Sequence, residues 1–149
     1  MQIELNRWCL QDLEPGFLLH FPTGLLGFPH HTEYRLTVQH PDLPFRWLQA
    51  TATPPVAFVV TDPFAFLPDY QVPLQAQDLY DLQVTAPAEL VLCVIVTLPR
   101  ETSPQLTVNL QGPVLINRVN GWAKQFVLVQ GPYHTCHPLQ VTPALTTSL

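Results

Sequence analysis

The stretch VLINRVNGWAKQFVLV, residues 114–129, decides the fold. Val114, Leu115 and Ile116 make one apolar run, Phe126, Val127, Leu128 and Val129 make a second, and Asn120-Gly121 lies between them. Asn-Gly tolerates the positive φ of a two-residue type I′ turn, so the arrangement predicts a β-hairpin. The same grammar recurs outward from it. Tyr34, Leu36 and Val38 alternate with Arg35, Thr37 and Gln39, and Leu106, Val108 and Leu110 alternate with Thr107 and Asn109. Ile3 and Leu5 alternate in the same way with Gln2, Glu4 and Asn6. A period of two marks a half-buried strand. Residues 56–60 and 90–98 are instead continuously apolar and rich in Val and Ile, which suits strands covered on both faces. The second run is expected to be central, with Cys93 buried.

Seventeen prolines punctuate the chain from end to end, and an interior proline costs a helix about 3 kcal/mol, so long helices are excluded. Short strands with proline at their starts and edges are not. One short helix fits residues 75–82, where Leu79 and Leu82 share a face. The sum is an all-β fold: a compact, mostly antiparallel, β-barrel-like single domain of eight or so strands with one short helix. It is expected over residues 1–138, with residues 139–149 a Thr- and Pro-containing tail that frays.

Six Lys and Arg against eleven Asp and Glu give a net charge of −5 with no basic run. Nucleic-acid binding needs clustered cations for the phosphates, so direct contact with nucleic acid is not expected and a basic protein partner fits better. Cys9, Cys93 and Cys136 are an odd number with no paired spacing, and the start MQIELNRWCL lacks the basic and apolar regions of a signal peptide. No apolar run reaches the roughly 18 residues that span a bilayer. The expectation is a cytoplasmic protein, monomeric when free, with no membrane contact.

The chemistry-bearing residues are sparse. His134, Cys136 and His137 fall within four residues, and His30, His31 and His40 lie elsewhere, but no second ligand pair stands at structural-zinc spacing. They read as surface or turn residues. The two serines, Ser103 and Ser148, sit in a loop and the tail, and no G-x-S-x-G elbow is present. Gly24 and Gly27 match neither a dinucleotide nor a P-loop pattern and serve tight turns instead. Asp62 before Pro63 reads as a turn cap. No cofactor, metal or catalytic residue is expected, and the chain is not read as an enzyme. Phe45 and Trp47 share a strand face and read as core. Phe64, Phe66 and Tyr70 lie in a proline-rich loop that is either an exposed interaction surface or a lid folded back on the barrel.

Five ordered blocks carry a resemblance. FPTGLLGF at residues 21–28, PFRWLQ at 44–49 and the stretch from Thr61-Asp62-Pro63 to Pro68-Asp69-Tyr70 are similar to the N-terminal half of FliW proteins. VIVTLP at 94–99 and TVNLQGPVLIN at 107–117, followed by Lys124-Gln125 and His137-Pro138, are similar to the second half. The resemblance implies a β-barrel-like fold and a regulatory role. FliW proteins bind flagellin as a chaperone-like partner, and they bind CsrA, the small RNA-binding repressor of flagellin translation. When free flagellin is scarce, FliW passes to CsrA, which then releases the flagellin messenger. The departures are fewer acidic groups after Asp69-Tyr70, where Gln71, Gln75, Gln77 and Gln83 stand, and an apolar hairpin that includes Trp122. Weaker electrostatic attraction to a basic partner follows from the first.

Within the matching blocks, Asp69 and Tyr70 with Phe66 form one candidate partner-binding stretch. Asn109 and Asn117, flanking the Gly112-Pro113 turn, form the other. For Tyr70 the plainer role is a ring packed on the barrel with its hydroxyl bonded to backbone. For Asn109 it is a hydrogen bond at a turn. The alternative to a binding module is a barrel with an internal small-molecule or metal site, and a filled interior discriminates against it.

Overall fold

Eight residues free of charge and proline, Leu90–Thr97, form strand β5, the longest in the computed structural model of the chain, which describes residues 8–102 and 104–139. Its side chains part by parity. Leu90, Leu92, Val94 and Val96 enter one apolar cluster, whereas Val91, Cys93 and Ile95 enter another. The run is continuously apolar because both of its faces are buried, each Val or Leu contributing about 1.5–3 kcal/mol. Cys93 is fully buried, and burial foremost, with the nearby Asp62 charge, pushes its thiol pKa up, which makes it a core residue and no nucleophile.

The other strands are β1 (Leu18–His20), β2 (Glu33–Thr37), β3 (Phe45–Ala50), β4 (Ala57–Thr61), β6 (Thr107–Val108), β7 (Val114–Asn117), β8 (Ala123–Gln125) and β9 (His137–Pro138). Every ladder between them is antiparallel. β1 to β5 pair in sequence, and the far side of β5 pairs first with β6 and then with β7. The alternation read for Tyr34 and Leu36 holds: both are fully buried, while Glu33 and Arg35 face solvent. One helix, α1 (Ala76–Asp81), falls within the predicted span. The strand expected at Ile3 and Leu5 and the tail from residue 140 lie outside the described residues.

The sheet curls without closing. β8 meets β1 through a single parallel bridge, His20 to Trp122, with His20 N–H donating to the Gly121 carbonyl at 2.8 Å. The next donor in that parallel register belongs to Pro22, which has no N–H to offer the Ala123 carbonyl, so the ladder stops there. "Barrel-like" therefore describes the curl only. Inside it lies the first core, with Leu19, Phe21, Tyr34, Leu36, Leu48 and Val60 among its members. The second core lies on the outer face, where Phe45, Trp47, Leu92 and Leu115 are roofed by Tyr70, Val72, Leu74 and Leu82.

The hairpin around Asn120-Gly121 forms, with a different turn from the one expected. Asn117 N–H donates to the Trp122 carbonyl at 2.7 Å and Gly121 N–H to the Asn117 carbonyl at 2.8 Å, enclosing a four-residue loop. Gly121 takes a φ of +82°, and Asn120 does not share it, so the type I′ geometry is absent. Asn120 acts through its side chain, whose Oδ1 accepts from Trp122 N–H at 2.9 Å. Gly121 is required twice over, because a Cβ there would also collide with the Leu18 carbonyl across the seam.

The predicted strand at residues 126–129 is half a ladder. Phe126 N–H reaches the Pro113 carbonyl and Leu128 N–H the Gln111 carbonyl, both at 2.8 Å. The return bonds are missing for two local reasons. Pro113 has no N–H, and Gln111 N–H is taken by the Asn109 side chain at 3.1 Å.

Candidate functional site

The roof over the outer core begins with Asp62, whose carboxylate accepts from Phe64 N–H at 2.9 Å and starts a 3-10 turn at Pro63–Ala65, the cap expected from Asp-Pro. The loop then folds back as a lid. Phe64, Phe66 and Leu67 pack partly buried against the outer core. Tyr70 is 2% exposed, and its hydroxyl donates to the Leu110 carbonyl at 2.5 Å. Burial, helped by Tyr133, pushes the Tyr70 pKa well up. Tyr133 packs edge-to-face on Tyr70 with centroids 4.6 Å apart, and its own hydroxyl accepts from Gln71 N–H at 2.9 Å. Two tyrosines thus clasp the lid to the strands below.

Asn109 is half-buried beside this clasp, and its Oδ1 accepts from Gln111 and Gly112 N–H at 3.1 and 2.9 Å. It caps the short excursion that divides β6 from β7, two strands that otherwise follow the same side of β5. Phe66, Tyr70 and Asn109 are therefore gathered around Leu110, with Asp69 beside Tyr70 in the chain. Asp69 is exposed, Phe66 and Asn109 are half-buried, and Tyr70 reaches the surface only through what it holds in place.

Asn117 sits apart, at the other end of β7 and 1% exposed. Its Nδ2 donates to the Leu82 and Gln83 carbonyls at 2.9 and 3.2 Å, and its Oδ1 accepts from Val119 N–H at 2.9 Å. Gln83 holds a left-handed φ of +56° where glycine commonly ends a helix, with Val84 N–H closing on the Leu79 carbonyl at 2.9 Å. Asn117 latches that turn to the hairpin. Asn120 adds a bond from its Nδ2 to Gln83 Oε1 at 3.2 Å. Asn117 is thus a positioning residue, and of the predicted contact residues Asp69, Phe66 and Asn109 are the ones within a partner's direct reach.

Beyond this lid surface, α1 and the hairpin enclose an open groove of about 600 Å³ lined by Tyr80, Asp81, Gln83, Val84, Thr85 and Trp122. Tyr80 is 78% exposed at its rim. Beside it, the Lys124 ammonium meets the Asp81 carboxylate at 3.2 Å. Hydrogen bonds from Gln77 and then Lys124 hold the Asp81 pKa below its ordinary value. The sequence marked Trp122 as unusual but gave no reason to pair it with Tyr80, since they are remote in the chain.

The space enclosed under the lid by Phe66, Leu67, Val94, Val108, Leu110 and His137 is about 10 Å³. That is about the room of one water, against roughly 300–1,000 Å³ for a ligand pocket. Among the described residues no three His, Cys, Asp or Glu side chains come together as a metal-binding group, and no helix is long and apolar enough to cross a membrane.

Known proteins supply the rest. The family profile described as FliW protein matches residues 3–139. The flagellar assembly factor FliW of Moorella thermoacetica is 37% identical over 139 residues, covering 93% of this chain and 88% of the relative. That of Treponema denticola is 33% identical over 139 residues, 93% of each. A crystal structure of the flagellar assembly factor FliW superposes with a TM-score of 0.75 at 32% identity, covering 85% of this chain and 87% of the other. With the ordered blocks, the curled antiparallel sheet and the profile match in agreement, the chain belongs to the FliW family.

Proposed function

We infer that this protein is a flagellar assembly factor that works by binding other proteins. Its partners are flagellin, which it holds in a chaperone-like way, and a CsrA-type translational regulator, whose repression of flagellin synthesis it relieves. The carrying observation is the family match, sustained by relatives named as flagellar assembly factors over 93% of the chain. The net charge of −5 favours encounter with a basic RNA-binding regulator and disfavours contact with the RNA itself. The protein acts in the cytoplasm, where both partners are made.

The lid is the contact surface. Asp69 offers an exposed carboxylate, Phe66 a partly exposed ring and Asn109 a free amide edge, all fixed from beneath by the Tyr70 clasp. A few such groups on a rigid support carry most of an interface's energy. The test is a pull-down with purified flagellin and CsrA taken separately, then repeated with Asp69→Ala and Phe66→Ala after their melting has been checked. Retention of at least one partner by the wild type is expected, with about tenfold weaker binding in the variants. Wild-type protein that retains neither partner refutes the function. Variants that bind within twofold of wild type move the contact surface elsewhere.

A further inference from the structure

Residues 125–129 are an unguarded strand edge. Because Phe126 and Leu128 turn their N–H groups inward to Pro113 and Gln111, Val127 and Val129 turn theirs outward, as alternation in an antiparallel ladder requires. Those outward N–H and C=O groups make no hydrogen bond to any described residue. The side chains follow suit: Phe126 and Leu128 pack against the outer core, while Val127 is 50% and Val129 79% exposed. Natural edge strands are blunted by charge, proline or a bulge, yet residues 125–131 contain no charged residue and no proline. The nearest guard, Lys124, is occupied by Asp81 and lies 5.1 Å over the Phe126 ring.

We propose that this edge is a docking site for an extended, uncharged, β-branched segment of another protein, which adds to the sheet as a strand beside residues 125–129. Only a backbone in the β conformation presents donors and acceptors at the spacing that Val127 and Val129 leave open, so the chemistry of the edge specifies a strand. The uncharged strip and the two exposed valines favour β-branched neighbours across the new ladder. A second copy of the chain fits poorly. Self-pairing over about five residues covers roughly 17 Å of strand and a few hundred Å², far short of the roughly 1,200 Å² of a stable dimer. A tethered segment adds its grip to contacts made elsewhere by the same partner, and so needs little area of its own. The proposal does not depend on which regulators the protein serves.

The probe is the blocked peptide acetyl-Thr-Val-Thr-Val-Thr-amide, titrated to about 10 mM into the full-length protein while backbone amide NMR shifts are followed, since one short strand binds weakly. Saturating shifts of the Val127 and Val129 amides are expected, with smaller ones at Gln125. A peptide with alternate residues replaced by proline has lost the needed donors and should leave them unmoved. Val129→Pro removes an N–H that the fold does not use, and should weaken binding about tenfold at unchanged melting. If that variant does not fold, Val127→Lys keeps every backbone group and must still weaken the neutral peptide severalfold.

Absence of shifts at these amides overturns the proposal, as does binding that survives the folded Val129→Pro variant or, where that variant does not fold, Val127→Lys. Shifts that appear with protein concentration alone would assign the edge to a second copy and overturn the choice of occupant. The peptide arm contains neither flagellin nor CsrA, so its failure leaves the proposed function standing.

Discussion

The two cores on either side of β5 are built differently. The inner one is walled by strands β1 to β5, β7 and β8, and Leu10, Leu13, Phe21 and Leu25 are its buried members from outside the strands. The outer one is roofed by a proline-rich lid without strands, held by polar fasteners: Tyr70 on Leu110, Tyr133 on Gln71 and Asn117 on the end of α1. A strand-enclosed core opens only when the sheet does. A roofed core can lose its roof first, because a few hydrogen bonds and a handful of side chains hold it. The surface proposed for partner binding lies on the part that can open.

The comparison breaks most readily in paired truncations. Leu48→Ala, fully buried in the inner core, is expected to cost about 3–5 kcal/mol in denaturant unfolding. Leu74→Ala, in the lid itself and 4% exposed, is expected to cost nearer 2 kcal/mol because the roof can settle into the gap. Native-state hydrogen exchange should show Leu74→Ala loosening residues around the lid alone and Leu48→Ala loosening the whole sheet. Equal costs with equally global exchange would show the lid to be as integral as the strands.

A smaller effect isolates one fastener. Tyr70→Phe keeps the ring but orphans the Leu110 carbonyl, and should cost about 1–2 kcal/mol near neutral pH. Folding raises the Tyr70 pKa above its ordinary value of 10.0. The proton is held more tightly in the folded state, so the hydroxyl's contribution is complete below pH 10 and fades as pH rises above it. Unfolding curves of the two proteins should therefore converge on the alkaline side.

The smallest effect is at the groove. Folding lowers the Asp81 pKa from 3.8, so the bond to Lys124 and that from Gln77 stabilise in full above this value and lapse below it, as pH falls through the lowered folded-state pKa. Asp81→Asn should melt slightly below wild type at pH 7 and level with it once acid has protonated Asp81, the gap shrinking with salt because the pair is exposed. A gap that persists in acid would mean that shape rather than charge holds α1 to the hairpin.

What the sequence determined by itself was periodicity and punctuation. The alternation of Tyr34 with Leu36, the unbroken apolar run of β5, the helix near residues 76–81 and the hairpin at Asn120-Gly121 are all properties of neighbours in the chain, whose sterics act locally. Tertiary structure decided everything that depends on what lies opposite. Parity says that Leu92 and Cys93 face opposite ways, but only the assembled sheet shows that each face has its own core. The Asx cap of Asn109 was open to a local reading, whereas Asn117 is buried because Leu82 and Gln83 arrive from 35 and 34 residues away. Tyr70 is clasped because Leu110 comes from 40 residues away. The half-made ladder at Phe126 and Leu128 arises because Pro113 has no N–H and the Asn109 side chain takes that of Gln111, so its return bonds are withheld. Backbone hydrogen bonds are satisfied pairwise, and a strand's sequence carries no record of its partner's missing donor.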